Sequence, residues 1–268
     1  MTSLPIIDMH MHAYELIPGE SEELAGLRSP DTPEEYLRDN LAILEKLNIR
    51  AVTSGAKDLV QQWHQAALDR IIPALWFYRP DEVSLDWIEE AFNQGNLAVL
   101  GEIMTQLEGI PPDDPTLEPI FTLAERLDIP VGFHMGIGPP GLPKYRASLS
   151  NPLLLEEVLV RHPAMRFYVM HAAWPMLEEI IHMLCTYPQV YVDTGLIDWI
   201  LPREEFYTYL RRIVQAGLGD RVMFGSDQMM WPQVIPRAIE TIMSADFLSE
   251  DQKRDILYRN AARFLRLE

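Results

Sequence analysis

The sequence contains almost no cysteine. Cys185 is the single cysteine among 268 residues, so the chain cannot form an internal disulfide. It lies in an apolar stretch with helical spacing, where we expect a small buried side chain. A chain without disulfides suits a reducing compartment, and the first strand-like run begins too early to leave room for a targeting peptide. We therefore expect a cytoplasmic protein.

Long hydrophobic runs and positive charge are also lacking. No segment approaches the roughly 18 apolar residues of a membrane span, so we expect no membrane insertion. The 22 lysines and arginines face 40 aspartates and glutamates, which leaves a formal net charge of −18. Such a surface repels phosphates and argues against non-specific binding of nucleic acid. We expect a small anionic substrate that reaches a local positive site, and a homo-oligomer is left open.

What the sequence does contain is a regular alternation of strand-like and helical segments. Helix starts are marked by capping signals such as Thr32-Pro33-Glu34-Glu35. This alternation is typical of an α/β fold with a parallel sheet, and eight strand-helix units indicate a single (β/α)8 TIM barrel that forms one domain over residues 1–268. The predicted strands are 5–12, 49–54, 71–78, 97–103, 129–134, 166–171, 190–194 and 221–226.

Histidines and acidic residues occur where these predicted strands end. His10 and His12 are two positions apart on the first strand, so both side chains point to the same face. Alone, each residue has an ordinary structural explanation, such as a hydrogen-bonded core histidine or a helix cap. Burying so many ionisable groups close together costs free energy unless a cation compensates their charge. The predicted metal ligands are His10, His12, Glu102, His134, His171 and Asp227.

This prediction requires the sheet to be closed. Neighbouring strands lie about 4.8 Å apart, so in an open, doubly wound sheet of eight strands the outermost strands are separated by about 30 Å. Ligands from the first and eighth strands then never share an ion. In a barrel these two strands are neighbours, and their carboxyl ends lie at the face where barrel active sites are built.

Several motifs in this order resemble those of the amidohydrolase superfamily, in its amidohydrolase-2 branch. They are Asp8-Met9-His10-Met11-His12, Gly101-Glu102-Ile103, Gly132-Phe133-His134, Val169-Met170-His171, Phe224-Gly225-Ser226-Asp227 and Asn260-Ala261-Ala262-Arg263-Phe264. The resemblance implies a TIM barrel in which His10, His12 and Asp227 hold a first metal ion, and His134 and His171 hold a second.

One position departs from the pattern of many relatives. They carry a carboxylated lysine on the fourth strand, where this chain has Glu102. A glutamate there resembles the TatD-like branch and would bridge two ions. The alternative is a site with a single metal ion. Glu102 would then contact one of the ligands, or lie near the substrate, without binding the ion itself. The histidine and carboxylate ligands favour zinc, with manganese or another divalent ion as alternatives.

The resemblance also implies a reaction class, the hydrolysis of an ester, lactone or amide of a small organic acid. A non-oxidative decarboxylase of an unsaturated or aromatic acid is the main alternative, a TatD-like phosphodiesterase is a further one, and a non-catalytic barrel is the weakest. Asp227 is the candidate general base. Arg79, Tyr145 and Arg146 follow predicted strands and are candidates to bind a substrate carboxylate, although the arginines equally suit surface salt bridges.

Overall fold

The computed structural model describes residues 4–267. Eight parallel strands pair in chain order to form one sheet. Hydrogen bonds then join the last strand to the first, because the Met9 amide donates to Phe224 O at 2.8 Å and the Asp227 amide donates to His10 O at 2.7 Å. The sheet is therefore a closed ring, which confirms the predicted TIM barrel and excludes the open sheet. Its strands are β1 (Ile6–Ala13), β2 (Ile49–Gly55), β3 (Ile71–Phe77), β4 (Val99–Ile103), β5 (Val131–His134), β6 (Phe167–Met170), β7 (Val190–Asp193) and β8 (Val222–Met223).

Helices between and after the strands surround the barrel. The first begins as predicted, since Thr32 accepts a hydrogen bond from the Glu35 amide and Pro33 occupies the first helical position. Within residues 4–267 no helix is long and apolar enough to cross a membrane. The helices are α1 (Pro33–Leu47), α2 (Lys57–Ala66), α3 (Leu85–Asn93), α4 (Glu118–Leu127), α5 (Glu156–Arg161), α6 (Leu177–Thr186), α7 (Ile197–Ile200), α8 (Arg203–Gln215), α9 (Val234–Met243), α10 (Glu250–Arg254) and α11 (Asn260–Leu265).

Two local expectations were wrong. The last strand, Val222–Met223, is shorter than 221–226, and beyond it Phe224 and Asp227 keep single backbone hydrogen bonds to β1. Cys185 is exposed, since α6 buries the neighbouring Met183 and Leu184 on its other face.

The barrel interior below the mouth is filled by side chains. Ile72, Ala74 and Met170 belong to one buried interior cluster together with Tyr168. The Tyr168 ring takes so much of this space that a Cβ on Gly132, across from it on β5, would lie 2.4 Å from the ring. The polar groups at the mouth therefore lie directly above a layer of tightly packed apolar side chains, as expected of a barrel of this size.

Candidate metal centre

The six predicted ligands come together at the C-terminal mouth of the barrel. They project from the ends of β1, β4 and β5 and from the segments that follow β6 and β8, and none is more than 7% exposed. Residues far apart in the chain thus become neighbours because the sheet is closed. The members of this cluster are His10, His12, Glu102, His134, His171 and Asp227.

Three of these side chains, His10, His12 and Glu102, present one atom each to a common point, and Asp227 lies beside the two histidines. The Nε2 atoms of His10 and His12 lie 3.2 Å apart. Glu102 Oε2 lies 3.5 Å from His10 Nε2 and 3.4 Å from His12 Nε2. Asp227 Oδ1 lies 3.0 Å from His12 Nε2 and 3.8 Å from His10 Nε2. Ligand atoms about 2.1 Å from one ion in a tetrahedral shell are separated by about 3.4 Å, so this set fits a single divalent cation.

A second set lies on the other side of Glu102. Glu102 Oε1 is 2.5 Å from His134 Nδ1 and 3.4 Å from His171 Nε2. His171 Nε2 is 3.0 Å from His134 Nδ1. The two oxygens of Glu102 therefore face different histidine pairs, so Glu102 would contact both ions if the site held two.

A buried carboxylate oxygen without a hydrogen-bond partner is further evidence that this cluster can bind a cation. Asp227 Oδ1 is close to His12 Nε2, yet it is buried and accepts no hydrogen bond from the described residues. Buried polar atoms are normally satisfied, and leaving them unpaired is costly. A buried carboxylate oxygen that lies close to two imidazole nitrogens and accepts no hydrogen bond is typical of a metal ligand, so the residues present fit a divalent metal ion.

The outward nitrogens of three histidines are held by neighbouring groups. His12 Nδ1 lies 2.9 Å from Ser54 Oγ, and His171 Nδ1 lies 2.9 Å from Gly195 O. His10 Nδ1 lies 3.2 Å from Asp193 Oδ2, an ion-pair contact that lacks in-line hydrogen-bond geometry. Such partners orient a ligating imidazole and direct its Nε2 towards the ion.

Asp193 is a site residue that the sequence reasoning missed. It ends β7, and besides the contact with His10 its Oδ1 accepts hydrogen bonds from the amides of His171 and Gly195. The signal was available, because Asp193 ends a predicted strand at the same rim as Glu102. Asp8, near the start of β1, was also not predicted as a site residue, and its Oδ1 accepts hydrogen bonds from the amides of His10 and Ser226.

The backbone around the cluster is locally strained. His171 and Asp227 have positive φ values of 58° and 44°, which side chains with a Cβ rarely adopt. Such conformations cost about 1–3 kcal/mol each and tend to occur at functional sites. Close packing adds a further constraint, since a Cβ on Gly195 would lie 2.6 Å from His10 Nδ1. The surrounding structure therefore holds the ligands in place at a cost in stability.

Charges within the cluster depend on one another. Burial opposes a charge on His10, but the carboxylates, chiefly Asp227, outweigh it and raise the pKa of His10 well above its usual value. Burial also opposes ionisation of Asp227, yet His10 lowers its pKa to about 2. The pKa of Glu102 is held well below its usual range against burial by His10 and His134. Both carboxylates are thus ionised at neutral pH, and a metal ion must displace the proton that His10 holds.

The three predicted substrate ligands are not part of this cluster. Arg79 forms a two-pronged hydrogen bond with Asp81, at 3.0 and 3.2 Å. Arg146 is exposed and donates to the carbonyls of Pro143 and Tyr145 in its own loop. The Tyr145 hydroxyl donates to Gly136 O at 2.9 Å. Each side chain has local partners that a substrate would have to replace, and their role in substrate binding stays a prediction.

Fold and site together define a class, a TIM barrel with a candidate metal centre at the end where barrel enzymes place their active sites. The family follows from the sequence. Residues 7–267 match the family model described as Amidohydrolase (Amidohydro_2), and the chain belongs to this family. The resemblance of the motifs to amidohydrolases is thereby confirmed.

Comparisons with individual proteins add context. A region of 153 residues is 23% identical to protein fluG of Emericella nidulans, over 52% of this chain and only 17% of that protein. A probable 2-pyrone-4,6-dicarboxylic acid hydrolase from Acinetobacter baumannii, solved with citric acid, has a TM-score of 0.73 at 15% identity and covers 98% of this chain and 99% of its own. A 5-carboxyvanillate decarboxylase from Novosphingobium aromaticivorans, solved with manganese, has a TM-score of 0.62 at 15% identity, covering 84% of this chain and 79% of its own. These structures establish a shared fold.

Proposed function

We propose that the protein is a metal-dependent hydrolase that acts on an ester, lactone or amide bond of a small organic acid. The observation that carries this proposal is the convergence of six buried nitrogen and oxygen ligands on two points that share Glu102. The family match over nearly the whole chain supports it. Zinc is the proposed metal, because neutral imidazole and carboxylate are its usual ligands. Manganese, present in the structure of the decarboxylase relative, is the alternative.

In this proposal His10, His12 and Asp227 hold one ion, His134 and His171 hold the other, and Glu102 contacts both. A divalent ion at such a site acidifies water to a pKa of about 7 and polarises a carbonyl oxygen. The protein holds the ligands in fixed positions and buries them, so that little water reaches their side chains. Asp193 and Ser54 keep the imidazoles of His10 and His12 turned towards the centre.

Asp227 is the proposed general base. Its Oδ1 faces His12, whereas Oδ2 lies 3.9 Å from His171 Nδ1, beyond hydrogen-bond distance. The low pKa of Asp227 means that it is ionised at neutral pH and can accept a proton. We propose that Oδ2 takes the proton of the attacking water and passes it to the leaving group.

Decarboxylation of an unsaturated or aromatic acid is the second candidate. It is supported by the fold shared with the 5-carboxyvanillate decarboxylase. The hydrolase relative shares the fold at a similar level of identity, so the fold does not decide between the two reactions.

One assay separates these reactions. Protein purified without chelator is analysed for bound metal and is then incubated with lactones and with aromatic acids. A hydrolase forms a carboxylate from a lactone without releasing carbon dioxide, whereas a decarboxylase releases carbon dioxide and consumes a proton. Turnover of a phosphodiester alone would instead support a TatD-like activity. Protein that is folded and binds no metal would contradict every metal-dependent proposal.

A further inference from the structure

One buried glutamine side chain takes the place of a neighbouring strand beside His12. Gln228 Oε1 accepts a hydrogen bond from the His12 amide at 2.9 Å, and Gln228 Nε2 donates to His12 O at 2.8 Å. In a parallel sheet these backbone groups normally bond to the next strand. Strand β8, however, ends at Met223, and the side chain of Gln228 satisfies both groups instead. An amide suits this task because it carries both a donor and an acceptor.

These hydrogen bonds join the segment after β8 to β1 at the candidate ligands. Asp227 directly precedes Gln228, and its amide donates to His10 O at 2.7 Å. Two consecutive residues of this segment thus bind the backbone of the two histidines of β1. Asp227 Oδ1 lies 3.0 Å from His12 Nε2. The position of the Asp227 carboxylate relative to the His12 imidazole therefore depends on how firmly this segment is attached to β1.

The segment needs firm attachment because its backbone is strained on both sides of Gln228. Asp227 and Met229 have positive φ values of 44° and 45°. Residues with a Cβ rarely adopt this conformation, and they keep it only where surrounding contacts hold it in place. Gln228 lies between them and is completely buried. Loss of its hydrogen bonds would allow the segment to relax, and Asp227 would move with it.

Tyr36 of α1 completes the hydrogen bonding of the Gln228 amide. The Tyr36 hydroxyl accepts a hydrogen bond from Gln228 Nε2 at 3.0 Å and donates to His12 O at 2.7 Å. Both hydrogens of the amide are thus used within the protein, which fixes the orientation of the side chain. None of these hydrogen bonds involves a candidate ligand atom. Gln228 therefore acts on the metal centre through the residues that would bind the ion.

We infer that Gln228 is a positioning residue of the metal centre, which holds the Asp227 carboxylate at the correct distance from His12. This inference rests on the proposed function, because it requires a metal ion at the barrel mouth. The role differs from that of Ser54 and Asp193, which orient single imidazole rings. Gln228 instead sets the spacing between two ligands, one on β1 and the other after β8.

Gln228→Met tests the inference, because methionine is an unbranched side chain of similar length that lacks the amide. We expect zinc to bind about 10- to 100-fold more weakly, the usual effect of losing a group that positions a metal ligand. Competition with a metal-binding dye measures the affinity. Tyr36→Phe leaves both hydrogen bonds between Gln228 and His12 in place and is expected to stay within about threefold of the wild-type protein. Wild-type affinity in Gln228→Met, or a larger loss in Tyr36→Phe than in Gln228→Met, would overturn the inference.

A double variant distinguishes positioning from a general structural role. If Gln228 acts through Asp227, its loss matters little once the charged ligand is absent. We therefore expect Gln228→Met to reduce zinc affinity by less than about threefold in a protein that already carries Asp227→Asn. Effects that multiply in the double variant would mean that Gln228 does not act through Asp227, and they would overturn the inference.

A matched glutamine at the other end of the barrel serves as the control. Gln189 precedes β7, and its amide donates to Leu159 O at 3.2 Å. Gln189→Met is expected to leave zinc affinity within about twofold of the wild-type value, and a loss equal to that of Gln228→Met would overturn the inference.

Two further measurements keep the outcomes distinct. Absence of zinc binding in the wild-type protein contradicts the proposed function itself, whereas zinc binding that is unaltered in Gln228→Met contradicts only this inference. If Gln228→Met does not fold, Gln228→Asn takes its place, because its amide is one methylene too short to reach both backbone groups of His12. The same loss is expected in Gln228→Asn, and wild-type affinity in that variant would overturn the inference.

Discussion

The protein contains two clusters of histidine and carboxylate groups at opposite rims of the barrel. At the mouth, ligands from β1, β4, β5 and the segments after β6 and β8 form the candidate metal centre. Near the start of β6, His162 pairs with Glu125 through Nδ1 at 3.1 Å and with Glu118 through Nε2 at 3.0 Å. The residue types are the same in the two clusters, so composition alone does not distinguish them.

The difference lies in how the polar atoms are satisfied. Each nitrogen of His162 has its own carboxylate, and each carboxylate has a further donor, from Arg161 or from the Ala164 amide. The side chains of Glu118 and Glu125 are 38% and 25% exposed and reach water. In the metal centre the carboxylates are almost fully buried, and some of their atoms converge without bonding. A paired cluster stabilises the fold, whereas a convergent cluster is suited to hold an ion.

The strongest test of this contrast removes the charge of one ligand. Asp227→Asn keeps the size of the side chain but weakens a metal ligand and abolishes the proposed base. We expect a loss of turnover of about 10⁴-fold with little change in the circular dichroism spectrum. Steady-state kinetics with a substrate found in the lactone assay provide the measurement. Activity close to that of the wild-type protein would show that Asp227 has neither role.

Glu102→Gln tests the bridge between the two ligand sets. The amide cannot give a charged oxygen to both ions, so we expect the bound metal to fall from about two ions per chain to about one and turnover to fall about 10²- to 10³-fold. Elemental analysis of dialysed protein measures the metal content. An unchanged content of two ions would mean that Glu102 is not shared.

Asp193→Asn tests the groups that hold the ligands. Asparagine can still accept a hydrogen bond from the His171 amide, but it no longer contributes a negative charge beside His10. We expect metal affinity to fall about 10- to 100-fold, the usual effect of losing such a partner. Competition with a metal-binding dye gives the affinity, and a value equal to that of the wild-type protein would restrict Asp193 to a structural role.

His162→Gln is the matched change in the paired cluster and should have the smallest effect. It removes contacts between a buried imidazole and two carboxylates that reach water, so we expect a loss of about 1 kcal/mol in stability and a melting temperature lower by about 2–4 °C. Metal content and turnover should be unaltered. A loss of metal in this variant would mean that the distinction between paired and convergent clusters does not hold.

Much of the fold and of the cluster was predictable from the sequence. Alternating segments indicated the barrel, and His10 and His12 revealed their shared face through the period of two in a strand. Asp193 was missed because an aspartate after Val-Tyr-Val stands out less than a histidine, although the strand-end rule applies to it equally. The role of the two Glu102 oxygens depends on the positions of four histidines, which only closure of the barrel establishes.

Contacts made by long side chains were the least predictable. The position of Arg79 after β3 suggested a substrate ligand, but Asp81 is close enough in the chain to pair with it directly. Tyr14 follows β1 and Trp76 lies in β3, two strands that are not adjacent in the barrel, and no local pattern indicates that the two rings meet. Such contacts follow from the packing of the whole mouth.

Anomalous X-ray diffraction from crystals of the zinc-loaded protein would test the central claim most directly. We expect two peaks at the barrel mouth, one among His10, His12 and Asp227 and the other between His134 and His171, with an oxygen of Glu102 next to each. Ordered crystals of zinc-loaded protein with no peak at the mouth, or with a peak only beside His162, would contradict the claim.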